Sequence, residues 1–275
     1  MEEQINSFPQ VLTLAGTDSG GGAGIMADLK TMQSRRVFGT AVVVAVTAQN
    51  TIGVQRSMMM PTEMIDEQCA SLAADFKIKA CKTGMLGDAV RVHAVAENLR
   101  KYDFGPLIVD PVMIAKGGAQ LLADEAIQTV KDELLPLATL VTPNLVEAER
   151  FVGRKLQTKE DVQAAAQELQ QLGVQNVMIK GGHLDLATNE AADYVLFADH
   201  TDLWLSSPRI KTKRTHGTGD TLSSCMAAEL AKGATLKEAV YTAKAYIQAA
   251  IQETIQVGHG HGPLNHWAYA DQQAN

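Results

Sequence analysis

Short apolar runs recur along this chain, each followed by a stretch of helical spacing, and no other feature limits its fold so tightly. VLTLAG at 11–16, AVVVAV at 41–46, IKACK at 78–82, LIVDPV at 107–112, TLVT at 139–142 and VMIK at 177–180 read as buried strands. Helical patterns lie between them at 25–35, 63–76, 89–101, 124–134 and 159–172. Strands that alternate with helices are joined by crossovers, and strands apolar on both sides must be covered on both. The pattern therefore predicts an α/β fold with a mainly parallel sheet between two helical layers.

Near residues 191–214 the spacing changes. ADYVLFA, DLWLSS and RIKTKR follow one another closely with turn-type sequence between them, which predicts antiparallel strands at a sheet edge. Two helices, over 218–232 and 236–254, close the chain, with Gly233 placed to cap the first. No linker, repeat or low-complexity tract divides the 275 residues, so a single domain over 1–275 is expected.

Composition narrows the function classes. The 46% of hydrophobic and 20% of charged residues form an ordinary globular balance. The net charge of −7 is spread along the chain and argues against nucleic acid as a partner. Arg209, Lys211, Lys213 and Arg214 form the largest basic group, read as a solvated strand face or as an attraction for phosphates. Cys69, Cys81 and Cys225 share no metal-ligand spacing and imply no disulfide framework. The first ten residues do not resemble a signal peptide, and no apolar run reaches the roughly 18 residues that span a bilayer. A cytoplasmic protein without membrane contact is expected.

Two glycine-rich motifs carry the chemistry. In THGTGD, residues 215–220, Gly217 and Gly219 free the backbone just before a helix, so unpaired N–H groups and the positive end of the helix dipole converge on one spot. Such a turn suits an anion, and phosphoryl transfer depends on positioning and charge stabilisation of this kind. Asp220 is placed either to accept the proton of an attacking hydroxyl or to cap the helix. The first motif, GTDSGGGAGIMADLK, lacks the GK[ST] ending of a P-loop and does not fit GxGxxG with a ribose acid, which weakens a nicotinamide-dependent reading. Its Asp18 and Ser19 offer polar groups at the end of a strand, where open α/β sheets bind ligands; a plain tight turn is the alternative.

Together these motifs resemble the ribokinase-like superfamily, and within it the hydroxymethylpyrimidine and phosphomethylpyrimidine kinases of thiamine synthesis. LAGTDSGGGAGIMADLKT, VTAQNTIGV, KTGML, VDPVM, VTPNLVEAE, IKGGH, THGTGDTLSS and GHGHGPLNH stand in the family's order. The resemblance implies a ribokinase-like three-layer α/β/α fold, ATP and magnesium as cosubstrate and cofactor, and a homodimer; it leaves a monovalent cation undecided. It implies Asp220 as catalytic base, the amides of Gly217, Thr218 and Gly219 as an anion hole, and Asp18, Gln49 and Met85 at the substrate. Gln49, expected after the second strand, carries an amide whose donor and acceptor match an aminopyrimidine edge. Met85 either packs on the substrate ring or belongs to the core.

Asp110 ends an apolar strand, an expensive place for a charge without a partner, and magnesium or its water would supply one. Glu147 is implied to organise the same ion through water, or is a first-turn helix acid. Lys180, before Gly181 and Gly182, is implied to reach the nucleotide phosphates together with Asn144 and Thr218. His259, His261 and His266 lie in a glycine-rich tail read as closing part of the pocket rather than as a metal site. Many members of the branch carry cysteine where this chain has Asp220, which leaves the substrate open: a pyridoxine or pyridoxal kinase is the nearest alternative, and a non-catalytic ligand sensor a more distant one.

Overall fold

Alternation within each strand divides the apolar residues between two cores, one on each side of the sheet. In the computed structural model, which describes residues 5–114, 118, 120–181 and 189–274, Leu12, Leu14, Cys81, Val109, Val141 and Val177 face one core. Their strand neighbours Val11, Ala80, Ile108, Leu140 and Met178 face the other. The first core is closed by α2 (Thr62–Asp75), α3 (Ala89–Lys101), α4 (Asp124–Thr129), α5 (Leu145–Val152) and α6 (Lys159–Gln171). The second is closed by α1 (Gly24–Ser34), α7 (Thr218–Ala231) and α8 (Leu236–Gln252). The expected three-layer α/β/α fold is present.

The sheet has nine strands: β1 (Gln10–Gly16), β2 (Phe38–Asn50), β3 (Gly53–Met59), β4 (Ala80–Thr83), β5 (Leu107–Val109), β6 (Leu140–Val141), β7 (Asn176–Ile179), β8 (Glu190–Leu196) and β9 (Asp202–Pro208). Their spatial order is β3-β2-β1-β4-β5-β6-β7-β8-β9. Strands β2, β1, β4, β5, β6 and β7 run parallel, whereas β3, β8 and β9 are antiparallel edge strands. Order reverses at β1, whose neighbours β2 and β4 lead the chain away in opposite directions. Open α/β sheets bind ligands at the carboxyl ends of the strands beside such a switch point.

Three sequence expectations are corrected here. β2 continues to Asn50, so Gln49 lies within a strand paired with β3 rather than after it. RIKTKR forms no strand; β9 ends at Pro208, and the basic segment runs along the cavity described below. β5 stops at Val109, since Pro111 has no N–H to give to a neighbour. Two elements were not anticipated: the edge strand β3 and a C-terminal helix, α9 (Ala268–Ala274). α5 starts on a capping box in which Asn144 accepts from the Glu147 N–H and the Glu147 carboxylate accepts from the Asn144 N–H. No described helix is long and apolar enough to cross a membrane.

Candidate active site

The two glycine motifs meet backbone to backbone. Gly217, the residue before α7, has φ 81°, and a Cβ there would lie 1.9 Å from the carbonyl oxygen of Gly22. No other residue fits this turn, which brings the start of α7 against the loop after β1. Inside the first turn, a Cβ on Gly219 would lie 2.8 Å from Asp110 Oδ2, so the missing side chain lets the backbone approach that carboxylate. The Gly219 N–H in the first turn is available to an anion, while the Thr218 N–H makes a long bond to the Thr215 carbonyl at 3.4 Å.

The first loop is organised by Asp18. This buried carboxylate accepts from the N–H groups of Gly20, Gly22 and Ala23, and its Oδ2 lies 2.9 Å from His216 Nε2. Burial works against its charge, but the bonds from His216 and the backbone outweigh it and hold the carboxyl below its usual range. His216 Nε2 also lies 3.2 Å from the Gln49 amide nitrogen. One ring nitrogen either donates or accepts, and the charge-assisted bond to Asp18 is the stronger. With that proton on Nε2, the Gln49 N–H groups stay available to a ligand. Ser19 fixes the Gln49 backbone on both sides, donating to its carbonyl at 2.7 Å and accepting from its N–H at 2.8 Å.

Asp110 directly follows β5, and Glu147 lies in the first turn of α5, the helix that follows β6. Asp110 Oδ1 accepts from Lys180 Nζ at 2.9 Å, while Asp110 Oδ2 is buried without a hydrogen-bond partner. Burial pushes the Glu147 carboxyl up to about 7, Lys180 pulling against it and Asp110 adding to it. The Lys180 ammonium, opposed by burial, is held in its charged form by Asp110 and Glu147. Among the described residues no three His, Cys, Asp or Glu side chains are grouped to hold a metal ion. An orphaned carboxylate oxygen and a carboxyl resisting ionisation do fit a hydrated cation such as magnesium, which keeps most of its water.

Asp220 lies in the first turn of α7 but makes no cap bond; its Oδ1 lies 3.4 Å from Lys82 Nζ. Lys82 is fully buried and bonds Asp28 at 2.9 and 3.1 Å. Burial pushes Asp28 up to about 6, and Thr13 and Ser224 donate to it at 2.6 Å. Burial opposes the Lys82 charge too, but Asp28, Asp220 and Asp110 outweigh it and raise its pKa.

A cavity of about 910 Å³ unites these groups. Asp18, Gln49, Met85, Asp110, Asn144, Glu147, Lys180, Gly217, Thr218, Gly219 and Asp220 all line it, as does Lys211 of the basic segment and His261 of the tail. Met85 is both core and lining: it is buried, and its methyl group fills the space a side chain at Gly16 would take. His259 is exposed, and His266 is buried against Thr221. Gly182 lies outside the described residues. Sequence reasoning passed over Lys82, Asp28 and His216, although a lysine in an apolar strand and an acid on a helix's apolar face were visible signals.

Residues 18–265 match the phosphomethylpyrimidine kinase family. A hydroxymethylpyrimidine/phosphomethylpyrimidine kinase of Haemophilus influenzae is 51% identical over 97% of this chain and 99% of its own. An ADP complex of Bacillus subtilis pyridoxal kinase superposes with a TM-score of 0.88 at 38% identity, covering 96% of this chain and 99% of that one. A phosphomethylpyrimidine kinase from Clostridium difficile gives 0.77 at 39% identity over 88% and 99%. The match runs through both glycine motifs and the cavity they enclose, and this chain belongs to the phosphomethylpyrimidine kinase family of phosphotransferases.

Proposed function

We propose that this kinase moves the γ-phosphoryl group of ATP onto the hydroxymethyl group of 4-amino-5-hydroxymethyl-2-methylpyrimidine, and a second phosphoryl group onto the monophosphate so formed, as a step of thiamine biosynthesis. The observation that carries the reading is one cavity lined by both the Gln49 amide and the first turn of α7 with Asp220. Gln49 meets the aminopyrimidine edge, and Met85 packs on the ring. The substrate oxygen bonds to the γ-phosphorus as the bond to the β-bridging oxygen breaks; ADP leaves with that electron pair, and the hydroxyl proton passes to Asp220. The amides of Gly217, Thr218 and Gly219 stabilise the moving group.

Lys180, Asn144 and Thr218 face the nucleotide. Asp110 and Glu147 would hold magnesium, mainly through water, and the ion supplies charge neutralisation for the triphosphate. The reading treats the chain as one domain working in the cytoplasm as a homodimer. Val46 and Met58, paired across the exposed edge hairpin, are apolar and solvent-facing, which supports a contact there.

The likeness to a pyridoxal kinase favours vitamin B6 vitamers as a second acceptor. Side-by-side turnover with the hydroxymethylpyrimidine, its monophosphate and pyridoxal separates the two: a clear preference for the pyrimidines is expected, and a preference for pyridoxal overturns the assignment.

A further inference from the structure

A lysine ammonium buried between a sheet and two helices adds little to stability, because desolvating two charges offsets most of their attraction and an apolar pair of the same volume would serve as well. The Lys82–Asp28 pair therefore needs another reason, and its surroundings supply one. Lys82 and Asp28 have fully buried side chains, and neither lines the cavity. Asp28 is fixed from three elements, by Thr13 on β1, Lys82 on β4 and Ser224 on α7. The held ammonium then meets a carboxylate that does line the cavity, through Asp220 Oδ1. Gly84 keeps this contact open: a Cβ there would lie 3.1 Å from Lys82 Nζ and 3.7 Å from Asp220 Oδ1.

We propose that the buried Lys82–Asp28 pair is a fixed cationic support that aims one oxygen of Asp220 inward and so presents the other to the substrate hydroxyl, making Lys82 a positioning residue for the first phosphoryl transfer. This rests on the reading of Asp220 as the base. A carboxylate needs such support more than a thiol would, since its two equivalent oxygens and free rotation otherwise leave the lone pair unaimed. The second transfer, onto a phosphate that is already anionic, depends less on the base and thus less on Lys82.

The test is a steady-state study of Lys82→Met/Asp28→Asn, which removes both buried charges, keeps an acceptor oxygen for one of Thr13 and Ser224 and offers an amide N–H to the other hydroxyl, with folding checked by circular dichroism and thermal melting. The first-step kcat is expected to fall roughly 10- to 100-fold with KM for both substrates within about threefold, as for a small displacement of a reacting group. In an Asp220→Cys background the same pair of changes should alter kcat less than about threefold. An equal factor in both backgrounds, or a loss carried by KM, makes the pair merely structural and overturns the inference. If the double variant does not fold, Asp28→Asn alone is read the same way, since it loosens the support but keeps Lys82 and the side-chain volume. Asp220→Asn separates the two claims: unchanged first-step kcat there removes the base itself, whereas a loss there with normal kcat in Lys82→Met/Asp28→Asn leaves the base and removes the support.

Discussion

At the scale of single residues, the site depends on atoms that are absent as much as on those present. Gly217 combines φ 81° with a neighbouring carbonyl 1.9 Å from any added Cβ. Gly217→Ala is expected to destabilise the protein by about 2–4 kcal/mol, measured by urea unfolding, because strain and overlap add. Asp220→Asn keeps the size of the side chain and loses the proposed base. It should lower kcat of the first transfer by roughly 10²–10⁴ and of the second much less, when the two steps are assayed separately; equal losses would remove the division of labour. The aspartate in THGTGD was legible from sequence, but its freedom from capping was not, since an acid three residues into a helix serves either purpose.

Elements decide which residues share the cavity. β3 has mostly exposed side chains and no apolar run, so nothing in its sequence marked it as a strand. It forms because it pairs with the extension of β2, and that pairing carries Gln49 to the cavity wall. Gln49→Ala should raise KM for the hydroxymethylpyrimidine by about tenfold, the value of one or two hydrogen bonds to a ligand, with kcat within about threefold. A fall in kcat alone in the same steady-state assay would place Gln49 outside the recognition edge. α5, by contrast, carries a local signature: Glu147 reads as a first-turn helix acid, and the structure adds Asn144, three residues before it, as its capping-box partner.

Over the whole molecule, the C-terminal tail is tied back to α7 through His266. Its ring meets Thr221 at 3.1 Å, and its carbonyl accepts from Ser34 at 2.7 Å. Burial lowers the His266 pKa from 6.5 to about 4. The unfolded chain therefore binds more protons in that window, so this contribution is complete above pH 6.5 and lost as pH falls towards 4. His266→Gln should flatten the dependence of melting temperature on pH between 4 and 6.5, removing on the order of 3 kcal/mol of pH-linked stability. An unchanged slope would assign the acid sensitivity elsewhere. The sequence by itself determined the layered α/β architecture, the helix caps and the glycine turns, because periodicity and capping report burial and hydrogen bonding within a few residues. Only the tertiary structure decided that Lys82 would reach Asp220 across 138 residues, that Gly22 would meet Gly217, and that the basic segment would line the cavity. Those contacts follow from how the sheet orders its strands, and short-range patterns carry no record of that order.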